Sequence, residues 1–283
     1  MNSHQEAIES FKEAMLDSIG YAPTNIIADG AIHHFKNDQG KLNGAYRLYT
    51  DNRPAGWFQC HKMGILQKWK LSGGYVPISA MQQLLNQAKY RQETKDRQKA
   101  ELAKQAAVAV VATKILNQAP FAPANHPYLV TKKIGINGVR SGRFNSLIIP
   151  LYNANNEIVT LQFISETGGK SFLSGGLKKG CFYKLGEESK TILICEGFAT
   201  GASLHENSGY LTIIAFDAGN LKEVAINIRS LYPASEIIIC GDNDLSNVGQ
   251  TKAIDAAQTI GGKYLIPEIV GQDWNDVLSC GVL

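Results

Sequence analysis

The sequence predicts an α/β protein: a parallel sheet with covering helices in the last third, preceded by an α+β segment, a long helix and a small β-rich N-terminal module. Three observations carry this. From Lys190 onward the apolar runs "TILICEG", "LTIIAFD", "EIIICGD" and "KYLIPEI" alternate with helical stretches, the pattern of βαβ units. Upstream, about forty residues lack Gly and Pro altogether. Nearer the start, short strand-like runs are broken by turn residues every few positions.

Taken in order, residues 4–19 repeat apolar positions at helical spacing (Ala7, Ile8, Phe11, Met15, Leu16, Ile19), and Gly20 with Pro23 marks the stop. Strands follow in "IHHF", "AYRLYT" and "WFQC", with turns at "NDQGKLNG", "DNRPAG" and "LSGG", which makes residues 1–78 a small α+β module. Residues 79–118, rich in Ala, Gln, Lys, Arg and Glu, predict one long helix or two in series. Its basic middle (Lys89, Arg91, Lys95, Arg97, Lys99, Lys104) reads as a solvated spacer before a binding arm. After the Pro-rich joint "APFAPANHPYL", residues 119–189 read as a mixed α+β subdomain with the hairpin "SLIIPLYNANNEIVTLQFIS" and Gly-turned strands in "GGKSFLSGGLKKGCFYKLG". Residues 190–283 form the parallel sheet.

The bulk properties exclude some classes. No apolar run approaches the length of a membrane span, and the N-terminus is an amphipathic pattern with acidic residues, unlike a secretion signal, so a cytoplasmic protein is expected. The five cysteines, Cys60, Cys181, Cys195, Cys240 and Cys280, stand singly, without a Cys-x-x-Cys pair, and suggest neither a disulfide framework nor a zinc ribbon. His33 with His34 and Cys60 with His61 are adjacent pairs. On a strand each pair offers one inward ligand, so no zinc is expected. A formal net charge of +3 proves no nucleic-acid partner by itself.

Chemistry enters at the strand ends. Glu196 follows "TILIC", Asp217 follows "LTIIAF", and Asp242 with Asp244 follows "EIIICG". In a parallel sheet the C-terminal strand ends share one edge, so these carboxylates can meet though far apart in sequence. Clustered carboxylates repel unless a cation is present, and hard oxygen ligands suit Mg²⁺ or Mn²⁺ in phosphoryl chemistry. Helix capping is the alternative use of such residues. Aromatic residues Tyr46, Tyr49, Trp57, Phe58 and Trp69 interleave with Arg47, Arg53, Lys62, Lys68 and Lys70 in the N-terminal module. That composition fits single-strand binding and a small aromatic core alike.

An apolar strand ending Glu-Gly, "ILICEG", and a later one ending Asp-x-Asp, "IIICGDND", resemble the Toprim domain, a Rossmann-like parallel sheet shared by bacterial-type primases, type IA and II topoisomerases and some nucleases. "CEGFATGASLHENSGYLTIIAFDAGNL", "GDNDLSNVGQTKAIDAAQTIGGKYLIPE" and "DWNDVL" are similar to the Toprim primases of conjugative plasmids, integrative elements and phages. "HPYLVTKKIGINGVR", "LIIPLYNANNEIVTLQFIS" and "KSFLSGG" resemble the primase-core segment preceding Toprim, and "IIADGAIHHFK" with "AGWFQCHKMGILQKWK" the module at the start of many members. The resemblance implies a DNA primase that joins nucleotides on a single-stranded DNA template. Glu196 would act as general acid/base or metal ligand, Asp242 and Asp244 as catalytic Mg²⁺ or Mn²⁺ ligands, and Asp273 and Asp276 of "DWND" as ligands of a second cation. Asp273 as a helix cap is the alternative.

Lys132, Lys133, Arg140, Arg143, Lys170, Lys178, Lys179 and Lys252 supply positive charge expected to meet template or nucleoside triphosphates. Gly197 and Gly201 would let the backbone approach a phosphate or a neighbouring strand. The missing zinc ribbon departs from bacterial-type primases and leaves template choice open. No helicase segment follows in this sequence, so a separate helicase is an expected partner. A Toprim nuclease and a non-catalytic single-strand-binding or helicase-docking protein are the competing readings.

Overall fold

A computed structural model describes residues 3–37, 39–50, 53–72 and 80–279, with the backbone alone at 3, 80, 82 and 83. Cys280, the two glycines of "LSGG" and the boundary expected at 78/79 lie outside the described residues. The chain divides into two compact units, residues 1–94 and 95–283.

In the first unit, helix α1 (Ser3–Ile19) covers an antiparallel sheet of β1 (His33–Lys36), β2 (Leu42–Tyr49), β3 (Ala55–Cys60) and β4 (Ile65–Lys70), paired in sequence order. Phe11 and Met15 of α1 are fully buried with Leu48 and Phe58, and Tyr46 is nearly so. Phe11 meets Phe58 and Trp69 edge-on at 5.7 and 5.2 Å, the geometry that ring quadrupoles favour. Three of the interleaved aromatics are therefore core. Cys60 lies in this core with Tyr21 Oη 3.1 Å from its Sγ. His33 pairs with Asp29 at 2.8 Å, and His61 with Gln59.

Helix α2 (Ala80–Gln118) is continuous, as expected of a stretch free of Gly and Pro. In the second unit a short helix α3 (Pro127–Lys132) is capped by His126, whose Nδ1 accepts from Tyr128 N, with Pro127 at the first position. An antiparallel sheet follows: β5 (Arg140–Ser141), β6 (Leu147–Tyr152), β7 (Ile158–Ile164) and β8 (Lys170–Phe172).

The remaining strands are β9 (Tyr183–Leu185), β10 (Thr191–Cys195), β11 (Leu211–Ile214), β12 (Glu236–Cys240) and β13 (Lys263–Leu265), in the spatial order β13-β12-β10-β11-β9. Four are parallel, while β9 pairs antiparallel with β11. The sheet thus begins before residue 190, and that expected boundary falls between two of its strands.

Helices α5 (Leu221–Leu231) and α6 (Val248–Ile260) cover one face through Val224, Ala225, Ile228, Ala253 and Ala257. On the other face α4 (Phe198–Ser208) and the β5–β8 sheet share one core, in which Leu193, Cys195 and Cys240 join Leu147, Ile149 and Phe198. Helix α7 (Trp274–Ser279) packs on α4. Because each central strand is covered twice, its sequence is a continuous apolar run.

One buried side chain ties the β9 edge to the β11 end. Asn220 accepts from Gly180 N at 2.7 Å and donates to Cys181 O and Ala215 O at 3.0 and 2.8 Å. An Asn220→Ala variant strands these buried groups and should lose about 2 kcal/mol of stability, measured by urea unfolding at pH 7.

Candidate active site

Parallel pairing sets Cys195 opposite Cys240, so the residues that follow, Glu196 and Gly241–Asp242, leave the sheet side by side. Glu196, Asp217, Asp242 and Asp273 line one cleft of about 420 Å³, together with Lys132, Lys170, Tyr128 and Thr200. Sequence positions spread over 146 residues, from 128 to 273, thereby meet at one sheet edge.

Burial and mutual repulsion set the charges. Burial first, then Asp242, Asp244 and Asp217, push the Glu196 carboxyl up to about 7, against the pull of Lys170. Asp242 is pushed up to about 6 by burial and by Asp273, again against Lys170. Asp244 is held below its ordinary value, chiefly by its hydrogen bond from Ser246 and the Gly249 amide. Its Oδ1 accepts from Ser246 Oγ at 2.6 Å and its Oδ2 from Gly249 N at 2.7 Å, so it fastens the first turn of α6 to the strand end. Asn243 faces away between the two aspartates and donates to Pro267 O at 2.8 Å.

Asp273 and Asp276 form a reciprocal cap on α7. Asp273 Oδ1 accepts from Asp276 N at 2.9 Å, and Asp276 Oδ2 accepts from Asp273 N at 3.2 Å. Asp273 also faces the cleft; Asp276 is not among its lining residues. Buried Asn275 between them donates to Lys132 O and Ser203 Oγ, both at 2.8 Å, and so fixes α7 against α3 and α4.

Gly249 is the point where the acids close in. A Cβ there would stand 2.8 Å from Asp242 O, 2.9 Å from Asp244 Oδ2 and 3.2 Å from Glu196 Oε1. Gly249→Ala must spread the cluster, and a shift of several tenths of an ångström predicts a loss of about 10- to 100-fold in whatever reaction the site carries out. A reaction rate within twofold of wild type would refute that spacing. Gly201 serves packing instead, since its Cβ would stand 2.5 Å from Ile214 and 3.1 Å from Cys195 Sγ.

Of the expected cations, the fold brings Lys132 and Lys170 into the cleft. Lys178 reaches its rim through a 2.6 Å ion pair with Asp217, and Lys179 pairs with Glu223. Lys133 donates to Ser279 O. Arg140 lies 3.7 Å over the Phe121 ring, Lys252 is exposed on α6, and Arg143 lines a different groove beside Phe144.

Three cleft residues carried no sequence signal. Tyr128 and Thr200 are apolar-face positions of helices, and Phe216 adopts φ 72°, a left-handed conformation that is a true outlier for a bulky residue. Only the three-dimensional placement marks them.

Glu196 Oε1 and Asp242 Oδ1 are buried without a hydrogen-bond partner. Buried anionic oxygens left bare in this way fit a cation between them. Among the described residues no group of three or more His, Cys, Asp or Glu side chains is gathered tightly enough to hold a metal. The two bare oxygens match in number the one or two carboxylates that Mg²⁺ takes when water and substrate phosphate complete its shell.

A doubly covered, mainly parallel sheet with Glu at one strand end and Asp-x-Asp at the next defines a Toprim domain, and residues 191–281 match the Toprim domain family. Over 92% of its length the chain is also 30% identical to a DNA primase TraC of Escherichia coli, of which it covers 26%. A second Escherichia coli DNA primase TraC is 32% identical over the same share of the chain, which covers 19% of it. The chain therefore spans about a quarter or less of these relatives. Among solved structures, the primase fragment of the bacteriophage T7 primase-helicase aligns with 88% of this chain and 95% of its own, at 14% identity and a TM-score of 0.45.

Proposed function

We propose that this chain is a DNA primase catalytic unit that makes short primers on single-stranded DNA by Mg²⁺- or Mn²⁺-dependent nucleotidyl transfer, in the replication of a mobile element. The observation that carries the reading is the pair of bare buried oxygens, on Glu196 and Asp242, at one edge of a Toprim sheet in a chain similar to DNA primase TraC.

In the reaction a 3′-hydroxyl oxygen attacks the α-phosphorus of a nucleoside triphosphate, the P–O bond to the β-phosphate breaks, and pyrophosphate leaves. Asp242 and Glu196, with Asp244 and Asp273 at the margin, would hold the cation, which would supply charge neutralisation for the triphosphate and a more acidic hydroxyl. Without a cation, burial and its acidic neighbours push the Glu196 carboxyl up to about 7; with one bound it would stay unprotonated, and its second oxygen would take the hydroxyl proton. Lys170, whose charge acts on both Glu196 and Asp242, would meet a phosphate, as would Lys132 in the same cleft. Lys133, Arg140, Arg143, Lys178 and Lys252 would serve the template outside the cleft. Neither zinc nor a membrane enters this scheme, and among the described residues no helix is long and apolar enough to cross a bilayer. A separate replicative helicase is the proposed partner, with the cytoplasm as the place of action.

Incubation of the protein with mixed-sequence single-stranded DNA, labelled nucleotides and Mg²⁺ or Mn²⁺ should yield short products that EDTA abolishes. Degradation of the template without synthesis would instead establish a nuclease. Binding with neither reaction would favour the accessory role.

A further inference from the structure

The first unit carries a second surface with chemistry of its own. Side chains alternate across its sheet, and with Tyr46, Leu48, Phe58 and Trp69 turned to the α1 core, the intervening residues lie on the opposite face. Cross-strand register aligns Arg47, Trp57 and Lys68 in one row of that face, and Tyr49, Ala55 and Lys70 in the next. Burial agrees: Leu66, Lys68 and Lys70 are exposed, whereas the alternating Ile65, Gln67 and Trp69 are half-buried. Trp57 is half-buried between its two cationic neighbours. Arg47 donates to Gly30 O at 2.6 Å and lies 5.5 Å from the centre of the Tyr49 ring, which fixes its charge beside the aromatic row.

The two sides of the unit also differ in charge. The face carries Arg47, Lys68 and Lys70. Helix α1, on the core side, exposes Glu6, Glu9, Glu13 and Asp17 and carries Lys12 as its one Lys or Arg. A polyanion is thus attracted to one face and repelled from the other.

We propose that the Arg47–Trp57–Lys68 face binds single-stranded DNA, with Trp57 stacking on a base while Lys68, Lys70 and Arg47 neutralise flanking phosphates. A duplex conceals its base faces, and an acidic polypeptide has no base to stack. The indole at the centre of the charge therefore selects the single strand. The assignment deepens the primase reading by giving the template a holding surface on the first unit, and it rests on that reading only for the strand's role.

Binding is measured without nucleotides, so it stands or falls apart from synthesis. Oligo(dT) titrated into the full chain should quench tryptophan fluorescence, and Trp57→Ala should weaken binding about tenfold, within the range known for loss of a base-stacking ring. Trp57→Phe should restore most of the affinity, which a merely misfolded module would not allow. Lys68→Ala should reduce the salt dependence, log K against log salt, by about 0.7. The Asp242→Ala plus Asp244→Ala protein, inactive in synthesis, should still bind at this face and lose affinity on adding Trp57→Ala. Three results would overturn the proposal: no binding of oligo(dT), equal affinity in Trp57→Ala, or poly-glutamate bound as tightly as the oligonucleotide, which would mark an acidic protein partner.

Discussion

Glu196→Gln should reduce nucleotide incorporation by a factor of about 10³ or more while leaving the fold intact. The substitution keeps the volume but removes both the negative charge and the proton acceptor at the centre of the cluster. General-base catalysis alone is worth about 10² to 10⁴, and loss of a metal-facing carboxylate adds to it. Asp242→Ala plus Asp244→Ala should be no less severe, since it strips one bare oxygen from the cleft and unfastens the first turn of α6. Single-turnover incorporation on a single-stranded template, with circular dichroism as the control for folding, checks both. Primers made at wild-type rate by either variant would remove these residues from the chemistry.

In the absence of divalent metal, stability should fall as pH rises from about 4.5 to 7.5. Glu196 and Asp242 titrate in the folded protein near 7 and 6, above their ordinary values of 4.5 and 3.8. Between those limits the folded state binds more protons than the unfolded one, so the stability present below the unfolded values is lost as pH rises through the folded ones. After allowance for partial solvent screening, the two groups together contribute about 3 kcal/mol. Asp244, held low, acts in the opposite sense and only in the acid range. Urea unfolding in EDTA at pH 5 and pH 8 should show the fall, and Glu196→Gln should flatten a large part of it. Mg²⁺ should raise stability at pH 8 and have little effect at pH 5. Identical pH profiles for wild type and Glu196→Gln would mean that the cluster is not the strained element.

How much of this was legible beforehand differs by element. The parallel strands, the long helix and the acids at the strand ends were legible because each is a local signal: apolar runs, absence of Gly and Pro, a charge after Ile-Ile-Ile-Cys. Partnership was not. "CFYKLG" reads as a strand, but nothing local says that Tyr183–Leu185 crosses from one sheet to the edge of another. The acidic readings drew attention to Asp217, Asp273 and Asp276, whereas the buried residues that hold their loops are the neighbouring Asn220 and Asn275. An amide's value lies in carbonyls that arrive from elsewhere in the chain, such as Lys132 O for Asn275, so its sequence neighbours cannot reveal it. In the N-terminal module the opposite holds. Alternation already separates Trp57 and Lys68 from Phe58 and Trp69, but composition alone merges the two faces.

The antiparallel strand β9 also determines where this protein can be cut. Tyr183 and Leu185 contribute to the core, and their backbone closes the open side of β11. A fragment starting at residue 190 would uncover a fully buried apolar strand, with its amides and carbonyls available to any similar chain. Such a fragment should self-associate into strand-paired aggregates, whereas one retaining residues 180–189 restores the pairing. A soluble piece bearing Glu196 therefore has to keep this sheet margin as well as the β5–β8 sheet that shares its core, both upstream of the first acidic residue of the site.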